Sequence, residues 1–387
     1  MIERTLFTAD HEAFRDSFRR FMDKEIAPHH EAWEEQGFVD RAVWSKAGEN
    51  GFLCMTLPEA YGGSDADKLY SVVQMEELSR AGFTGIGYGL HSEIVAPYLL
   101  HYGTEAQKQK YLPKLASGEM VGAIAMSEPA AGSDLQGVKT TAMLQPDGTY
   151  LINGSKTFIT NGWHADLVIL VAKTDPAAGA KGTSLFLIES GTPGFEKGKR
   201  LKKLGLKAQD TSELFFDNVK VSADQLLGGT AMQGKGFICL MEQLPWERLQ
   251  IAIGGIAAAQ AAIDWTVQYV KDRKVFGQAV GNYQNTRYTL AELQTEVQVA
   301  RVFVDKCSEL LLQDKLDTAT ASMAKYWCSD LQCKVMDECV QLHGGYGYMW
   351  EYPITRAYAD ARVQRIYGGT NEIMKEVISR SMGLAGR

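Results

Sequence analysis

The sequence predicts an α+β protein of several domains, arranged in the order helical, β, helical. Residues up to about 119 follow helical spacing, residues from about 120 form short β-type runs separated by turn signals, and the last part returns to helical spacing. We therefore predict an N-terminal helical domain over 1–119, a central β-domain (sandwich or barrel) over 120–232 and a C-terminal four-helix-bundle domain over 233–387. Because strands and helices do not alternate, the order excludes the βαβ pattern of a dinucleotide-binding fold.

In the N-terminal region, an apolar seam predicts a first helix that Pro28 should end or bend. The members of the seam are Phe14, Phe18 and Phe21. Thr104 and Gln107 have the spacing of a capping box, which predicts a further helix through Tyr111.

The β-domain is predicted from five short β-type runs, which cover 121–126, 150–152, 167–172, 184–189 and 213–216. Turn residues separate them. Pro146–Asp147–Gly148, Asn153–Gly154 and Asn161–Gly162 each predict a turn or a hairpin.

Two long helices with narrow apolar seams predict the C-terminal bundle. The first seam is Leu249, Ile253, Ile256, Gln260, Ile263, Val267 and Val270. The second is Leu290, Leu293, Val297, Ala300, Val304, Cys307 and Leu311. Pro245 precedes the first seam and should start or kink its helix, which would place Glu247 at a helix irregularity.

Composition narrows the class of protein. The 387 residues carry a net charge of −7 and a sequence pI near 5.6, which gives no electrostatic reason to expect nucleic acid as a partner. No apolar run approaches the roughly 20 residues of a membrane helix, so we expect no membrane span. No targeting signal is visible, so we expect a cytoplasmic, bacterial-type protein, although a processed mitochondrial matrix chain would look similar. The six cysteines form no C-x-x-C pair, which indicates reduced thiols and no metal site.

Several segments carry groups suited to binding and chemistry. Ala125–Asp134 offers hydroxyls and backbone N–H groups in a turn of small residues, which suits a phosphate or a ring edge, although Ser133–Asp134 could simply cap a helix. Phe158–Gly162 alone is an ordinary hairpin signal. The remaining segments are Arg273–Gly277, Gln341–Gly347, Leu244–Leu249 and Arg365–Ile373.

In their order and spacing these segments resemble the acyl-CoA dehydrogenases over nearly the whole chain. The resemblance is strongest to the long-chain branch, because Leu-Pro-x-Glu-Arg-Leu occurs together with Ile-Tyr-Gly-Gly-Thr-Asn-Glu-Ile-Met-Lys-Glu. It implies FAD as the cofactor, with Arg273 reaching the pyrophosphate of the FAD in a neighbouring subunit. The implied cofactor-binding residues are Met126, Ser127, Ser133, Phe158, Thr160, Arg273, Phe276, Gln341, Gly345, Thr370 and Glu372. His343 is interpreted as structural.

The catalytic prediction starts from Gly368, which stands where many family members place their catalytic glutamate. The long-chain and isovaleryl branches carry the base in a Glu-Arg-Leu segment, so the resemblance implies Glu247 as the α-proton base. Desolvation by substrate would raise the pKa of this carboxyl group. The backbone N–H of Gly368 would polarise the thioester carbonyl. Glu372 is the competing acid, but its position in the motif points towards the adenine end of the cofactor.

For the substrate, the resemblance implies contacts from Ser133, Arg248, Tyr367, Gly85 and Gly89. The segment Phe83–Gly89 contains three glycines, which could deepen a tunnel for a long acyl chain, and tight helix packing explains them equally well. The implied reaction is α,β-dehydrogenation of a medium- to long-chain acyl-CoA to the trans-2-enoyl-CoA, with flavin N5 as hydride acceptor, in fatty acid β-oxidation.

Other interpretations stay open. They are an acyl-CoA oxidase or flavin monooxygenase of the same fold, a branched-chain acyl-CoA dehydrogenase, and a non-catalytic acyl-CoA-binding flavoprotein. By resemblance, the expected partners are electron-transferring flavoprotein as electron acceptor and further copies of the chain. These copies would form a homotetramer (a dimer of dimers) with FAD sites shared between subunits.

Overall fold

A computed structural model describes residues 2–384 and confirms the predicted fold class and the order of its parts. The N-terminal part contains seven α-helices and two π-helical segments, Met22–Ile26 and His91–Val95. The helices are α1 (Ala9–Phe21), α2 (His30–Gln36), α3 (Arg41–Glu49), α4 (Lys68–Ala81), α5 (Tyr88–Leu90), α6 (Ala96–Tyr102) and α7 (Glu105–Ala116).

Two local predictions in this part are confirmed. Pro28 lies in the turn that separates the first π-helical segment from α2. The capping box opens α7, since Gln107 N donates to Thr104 Oγ1 at 3.3 Å and Thr104 N donates to Gln107 Oε1 at 3.0 Å. Phe18 and Phe21 are buried in the core of this part, so the apolar seam faces inward as expected.

The central part is one mixed sheet of seven strands. They are β1 (Gly122–Ala125), β2 (Thr141–Leu144), β3 (Tyr150–Thr160), β4 (Leu167–Lys173), β5 (Thr183–Glu189), β6 (Phe195–Arg200) and β7 (Thr211–Val221). Their order is β1-β4-β2-β3-β7-β6, with β5 also paired to β4. Side chains from all seven strands share one buried cluster, which shows that the sheet curls around its own core. Of the seven, β2 and β6 were not predicted.

The turn predicted at Asn153–Gly154 is wrong, because both residues lie inside β3 at a bulge against β7. A Cβ at Gly154 would lie 2.4 Å from Thr140 Oγ1, so glycine is needed there for close approach of β2 and β3. The side chain of Asn153 accepts a hydrogen bond from Asn218 N at 2.8 Å. The other two turns, at 146–148 and 161–162, are observed.

The C-terminal part is helical, with a short hairpin of β8 (Lys274–Val275) and β9 (Gln278–Ala279). Its helices are α8 (Gly236–Asp272), α9 (Gln284–Leu312), α10 (Thr318–His343), α11 (Pro353–Ala361) and α12 (Asn371–Ser381). Residues from α4, α8, α9 and α10 form one core, which confirms the two predicted seams. The prediction that Pro245 could start the first long helix is wrong, because α8 begins at Gly236 and continues through it. Buried Trp246 and Leu249 hold this stretch by packing, which offsets the single hydrogen bond that a proline removes.

Within residues 2–384 no helix is long and apolar enough to cross a membrane. In the same part of the chain, no group of three or more His, Cys, Asp or Glu side chains could hold a metal ion. All six cysteines are free thiols, and all but Cys333 are buried.

Candidate active site

Glu247 is a buried carboxylic acid on α8 with a single side-chain partner among the described hydrogen bonds. Only 8% of its surface is exposed, and Tyr98 donates its phenol hydrogen to Glu247 Oε1 at 3.1 Å. Burial raises the pKa of Glu247 to about 7, while the hydrogen bond from Tyr98 and the charge of Arg248 act in the opposite direction. A carboxyl group with this pKa is a strong enough base to take up a proton near neutral pH.

The loop that carries Gly368 lies against the same stretch of α8. Gly368 has φ of +63°, and a Cβ placed on it would lie 2.5 Å from Ile251 Cδ1. Ile251 follows Glu247 by four residues, which is about one helical turn. The fold therefore places the Gly368 loop against α8 about one helical turn after Glu247, although the two residues are far apart in sequence.

Polar groups on α10 anchor this loop and the start of α12. Lys325 Nζ donates to Gly369 O at 2.7 Å and to Asn371 Oδ1 at 2.9 Å. Asn371 Nδ2 donates in turn to Ser329 Oγ at 3.0 Å and to Asp330 Oδ1 at 2.9 Å. Burial lowers the pKa of Lys325 to about 8.

Thr370 and Glu372 occupy the first turn of α12. Thr370 is the N-cap and accepts from Ile373 N at 3.4 Å, while Glu372 is exposed. Glu372 is thus a solvated acid, whereas Glu247 is a buried one, and only the buried group has a pKa raised towards neutrality.

Arg248 and Tyr367 flank the two central residues. Arg248 is buried, its Nη1 donates to Ser322 Oγ at 3.1 Å, and its Nε–H has no partner in the described part of the chain. Buried donors are normally hydrogen-bonded, so this unpaired N–H is available to donate to a bound ligand. Tyr367 is 38% exposed and donates to Gln364 Oε1 at 2.7 Å.

The predicted cofactor loop after β1 is held by a buried ion pair. Lys156 Nζ lies 2.8 Å from Glu128 Oε1 and donates to the carbonyl of Met126 at 3.0 Å, and the carbonyl of Ser127 accepts from Thr157 N at 2.9 Å. Met126 and Ser127 are half-buried and Ser133 is exposed, so the loop presents polar groups outwards.

Phe158 and Thr160 lie near the end of β3, at the edge of the same domain. Phe158 has φ of +60° at a bulge against β7, and 69% of it is exposed. A bulky residue in the left-handed region is strained, and such strain concentrates at functional sites. Buried Asn161 fixes the following turn, because its Oδ1 accepts from Gln209 Nε2 at 2.7 Å.

A second set of predicted residues lines a cavity of about 440 Å³ in the C-terminal part. Arg273, Gln341 and Gly345 all border it, together with His343 and Tyr346. The ring of His343 stacks on Tyr269 at 4.2 Å, and its Nδ1 hydrogen-bonds to Cys339 O at 2.8 Å, which indicates a structural group.

Phe276 stands apart from this cavity lining. It lies between β8 and β9 with φ of +48°, and 97% of its surface is exposed.

The residues present fit FAD. A Cβ at Gly344 or Gly345 would meet no atom within 4 Å, so this rim leaves space for a ligand beside the Arg273 guanidinium, which suits a pyrophosphate. On the β-domain, the exposed Phe158 ring and the hydroxyls of Ser127 and Thr160 suit an aromatic ring system with polar edges.

Gly85 and Gly89 differ in their surroundings. A Cβ at Gly85 would lie 2.5 Å from Gln209 N, and its φ is +87°, so tight backbone packing by itself requires glycine there. A Cβ at Gly89 would lie 3.6 Å from Gln250 Oε1, an ordinary contact with the helix that carries Glu247.

Tyr98, Lys325 and Asn371 were not predicted as site residues. Lys325 did carry a signal, because it occupies a seam position of α10 whose other members are Ala321, Cys328, Gln332, Val335 and Cys339, all of them buried. Because lysine is rarely buried unless its ammonium group is paired, a lysine at such a position indicates buried polar partners. Tyr98 carried no comparable signal.

Comparison with known proteins identifies the family of the chain. The chain matches the family models acyl-CoA dehydrogenase, N-terminal domain, over 8–119, middle domain over 123–219 and C-terminal domain over 234–383. It is 52% identical over 381 residues to long-chain specific acyl-CoA dehydrogenase, mitochondrial, of Mus musculus. This match covers 98% of this chain and 88% of the relative.

Two solved structures have the same fold. Acyl-CoA dehydrogenase from Geobacillus kaustophilus superposes with a TM-score of 0.96 at 49% identity, over 99% of this chain and 100% of that one. Acyl-CoA dehydrogenase complexed with FAD from Bacillus anthracis gives a TM-score of 0.90 at 32% identity, over 98% of this chain and 70% of that one. The protein therefore belongs to the acyl-CoA dehydrogenase family of FAD-dependent oxidoreductases.

Proposed function

We propose that the protein dehydrogenates medium- to long-chain acyl-CoA thioesters to trans-2-enoyl-CoA, with Glu247 as the base that removes the α-proton. The observation that carries this proposal is a buried Glu247, whose pKa burial raises to about 7, on a helix whose next turn, at Ile251, meets the Gly368 loop. FAD, held by residues at the edge of the β-domain and at the cavity beside Arg273, would supply flavin N5 as the acceptor for the hydride from the β-carbon.

Removal of the α-proton also requires stabilisation of the enolate oxygen. An unaided carboxylate is too weak a base for a thioester α-proton, so donors must meet the developing negative charge. Gly368 has no side chain to compete for the space, and its backbone N–H is the donor that we assign to the thioester carbonyl. A side chain at 368 would meet Ile251 and would be strained by the φ of +63°. With the base placed at Glu247 on α8, position 368 needs no side chain, which agrees with the lack of space for one there.

Substrate contacts follow from the same geometry. The free Nε–H of Arg248 and the hydroxyl of Ser133 are donors for the CoA portion, and Tyr367 flanks the thioester. Gly89 is the better supported of the two predicted tunnel glycines, because close packing already explains Gly85. The long-chain relative supports a straight substrate, and the Glu-Arg-Leu segment shared with the isovaleryl branch keeps branched acyl-CoA as the main alternative.

For the wider context we propose fatty acid β-oxidation, electron-transferring flavoprotein as the electron acceptor and a homotetramer. The split of the predicted cofactor residues between the β-domain edge and the cavity at Arg273 supports FAD sites shared between subunits. Cytoplasmic location stays a prediction, and the mouse relative is a mitochondrial protein by name.

The direct test is an anaerobic titration of the holoenzyme with acyl-CoAs from short to long and branched, followed by the flavin absorbance. We expect bleaching by medium and long straight chains, and a loss of at least about 10³-fold in its rate in Glu247→Gln. Glu242→Gln is the matched control, since this exposed glutamate lies on the same helix and pairs with Tyr102 instead.

Other outcomes are equally informative. A flavoprotein that no acyl-CoA bleaches would refute the proposed reaction, and rapid oxygen consumption with acyl-CoA would indicate an oxidase. If Glu247→Gln retained the wild-type rate, the base would have to be another residue.

A further inference from the structure

Within residues 2–384, the buried ammonium group of Lys325 donates hydrogen bonds to neutral acceptors only. Its hydrogen bonds go to the carbonyl of Gly369 and to the side-chain oxygen of Asn371, and the side chain is fully buried. A buried cation without a bonded carboxylate is costly, and a methionine of similar length would pack there without that cost. The cost of burying this cation in the apolar seam of α10 must therefore be offset by what its hydrogen bonds hold in place.

The segment that Lys325 holds contains two adjacent glycines in left-handed conformations. Gly368 and Gly369 have φ of +63° and +89°, and glycine loses more backbone freedom on ordering than any other residue. A backbone N–H can stabilise an oxyanion only if it is already in place before the charge develops. The loop therefore needs an external anchor close to Gly368.

Asn371, one of the two acceptors of Lys325, is itself held by α10. Asn371, which accepts from Lys325, uses its Nδ2 to bond Ser329 and Asp330 on α10. Lys325 also lies in the field of buried Arg248, next in sequence to Glu247. The other charged groups around the ammonium are Asp330, Glu372 and Arg365.

We propose that Lys325 is a positioning residue for the reaction. It clamps the Gly369 carbonyl so that the neighbouring Gly368 N–H is held where the thioester oxygen becomes negative. This inference rests on the proposed function, in which Gly368 supplies that donor. Lys325 itself touches neither substrate nor the reacting atoms.

The test uses the holoenzyme and a ligand that forms an enolate without being oxidised. We choose 3-oxododecanoyl-CoA, because its C2 proton is acidic and its C3 is already a carbonyl. The fraction of bound ligand present as enolate is read from its near-ultraviolet absorbance across a pH series. In Lys325→Met we expect the pH of half-ionisation to rise by about one unit, and kcat with dodecanoyl-CoA to fall about 10- to 100-fold with KM changed by less than about threefold.

Three variants separate positioning from general damage. Lys334→Met removes an exposed lysine from the same helix, paired with Glu296, and should change neither quantity. Lys325→Arg keeps the charge and should recover part of the ligand ionisation. If Lys325→Met does not yield folded holoenzyme, Lys325→Gln replaces it, because it is uncharged and shorter and should shift the ionisation in the same direction.

Two results would overturn the proposal. One is a folded Lys325→Met holoenzyme that ionises the bound ligand like wild type. The other is a loss of activity that disappears when rates are expressed per bound flavin. Failure of the proposed base is seen separately, as turnover by Glu247→Gln, whereas ionisation of the bound ligand at equilibrium does not require that base.

Discussion

At the scale of single residues, the environment of Glu247 decides its chemistry. The carboxyl group is removed from water, and burial opposes its ionisation, while the hydrogen bond from Tyr98 on α6 and the neighbouring guanidinium of Arg248 favour ionisation. The balance leaves a pKa near 7, so the group is partly ionised at neutral pH and can both accept and release a proton. Glu372, four residues after Gly368, lacks this environment because it is exposed.

We predict that Tyr98→Phe moves the acidic limb of the pH profile of kcat/KM to higher pH, by about 0.5 to 1 unit. Activity requires ionised Glu247 and therefore rises as the pH passes its pKa. Tyr98 donates to the charged form, so removing the hydroxyl raises that pKa further. Tyr102→Phe is the control, because this phenol donates to Glu242. A limb that stays in place or moves to lower pH would contradict the assignment.

At the scale of elements, a buried ion network joins the N-terminal segment to three helices. Glu76 on α4 receives Arg4 Nη2 at 2.9 Å and Arg301 Nη1 of α9 at 2.8 Å, and Arg15 of α1 approaches it at 3.4 Å. Burial would raise the pKa of Glu76, but these three cations outweigh it, so the pKa is lowered. The network fixes α1 and α9 on either side of α4, and α4 packs on the helix that carries Glu247.

We predict that Glu76→Gln lowers the free energy of unfolding by about 3 kcal/mol at pH 7, because the partly buried Arg301 loses its carboxylate partner. Arg4 and Arg15 keep Asp305 and Glu77 as partners. The pKa of Glu76 is depressed in the folded state. Its contribution is therefore present above the unfolded pKa of about 4.3 and is lost as the pH falls through the folded value.

Denaturant unfolding of wild type and Glu76→Gln at pH 7 and in acid measures this difference. Glu12→Gln, at an exposed partner of Arg15, should cost less than about 1 kcal/mol. Equal costs for the two substitutions would rule out a central role for Glu76.

At the scale of the whole molecule, the three parts of the chain meet at Asp360. Thr84 Oγ1 from the N-terminal part donates to Asp360 Oδ2 at 2.6 Å, and Leu206 N from the segment between β6 and β7 donates to Oδ1. A Cβ at Gly205 would lie 2.5 Å from the backbone of Ala359, so the approach is close. Asp360 lies on α11, shortly before the loop of Gly368, and so this junction connects the site to all three parts.

We predict that Asp360→Ala destabilises the protein by about 2 to 4 kcal/mol, since two partly buried donors, Thr84 Oγ1 and Leu206 N, lose their buried acceptor. The melting temperature should fall by several degrees, and calorimetry should show a broader or divided transition if the junction couples the three parts. Asp264→Ala, at an exposed carboxylate paired with Arg80, is the control and should leave the transition unchanged. A single transition at the wild-type temperature in Asp360→Ala would refute the coupling.

Local patterns predicted those features that depend on neighbours in sequence. Apolar spacing located α8 and α9, and the Thr104–Gln107 spacing located the start of α7. The same rules were wrong at Asn153–Gly154, because a turn and a β-bulge use the same dipeptide and only the opposite strand distinguishes them. They were wrong at Pro245 too, because α8 continues through this proline, where the buried side chains of Trp246 and Leu249 stabilise the helix by packing.

The sequence by itself determined the order of the three parts and the motif residues, because spacing and residue type are local properties of the chain. The family resemblance that these motifs carry implied Glu247 rather than Glu372 as the candidate base. Only the tertiary structure decided which polar groups meet. Tyr98 and Glu247 are 149 residues apart, and Lys325 and Gly369 are 44 apart, so no local pattern relates them. The raised pKa of Glu247 is likewise a tertiary property, because desolvation depends on which elements of the fold exclude water from the carboxyl group.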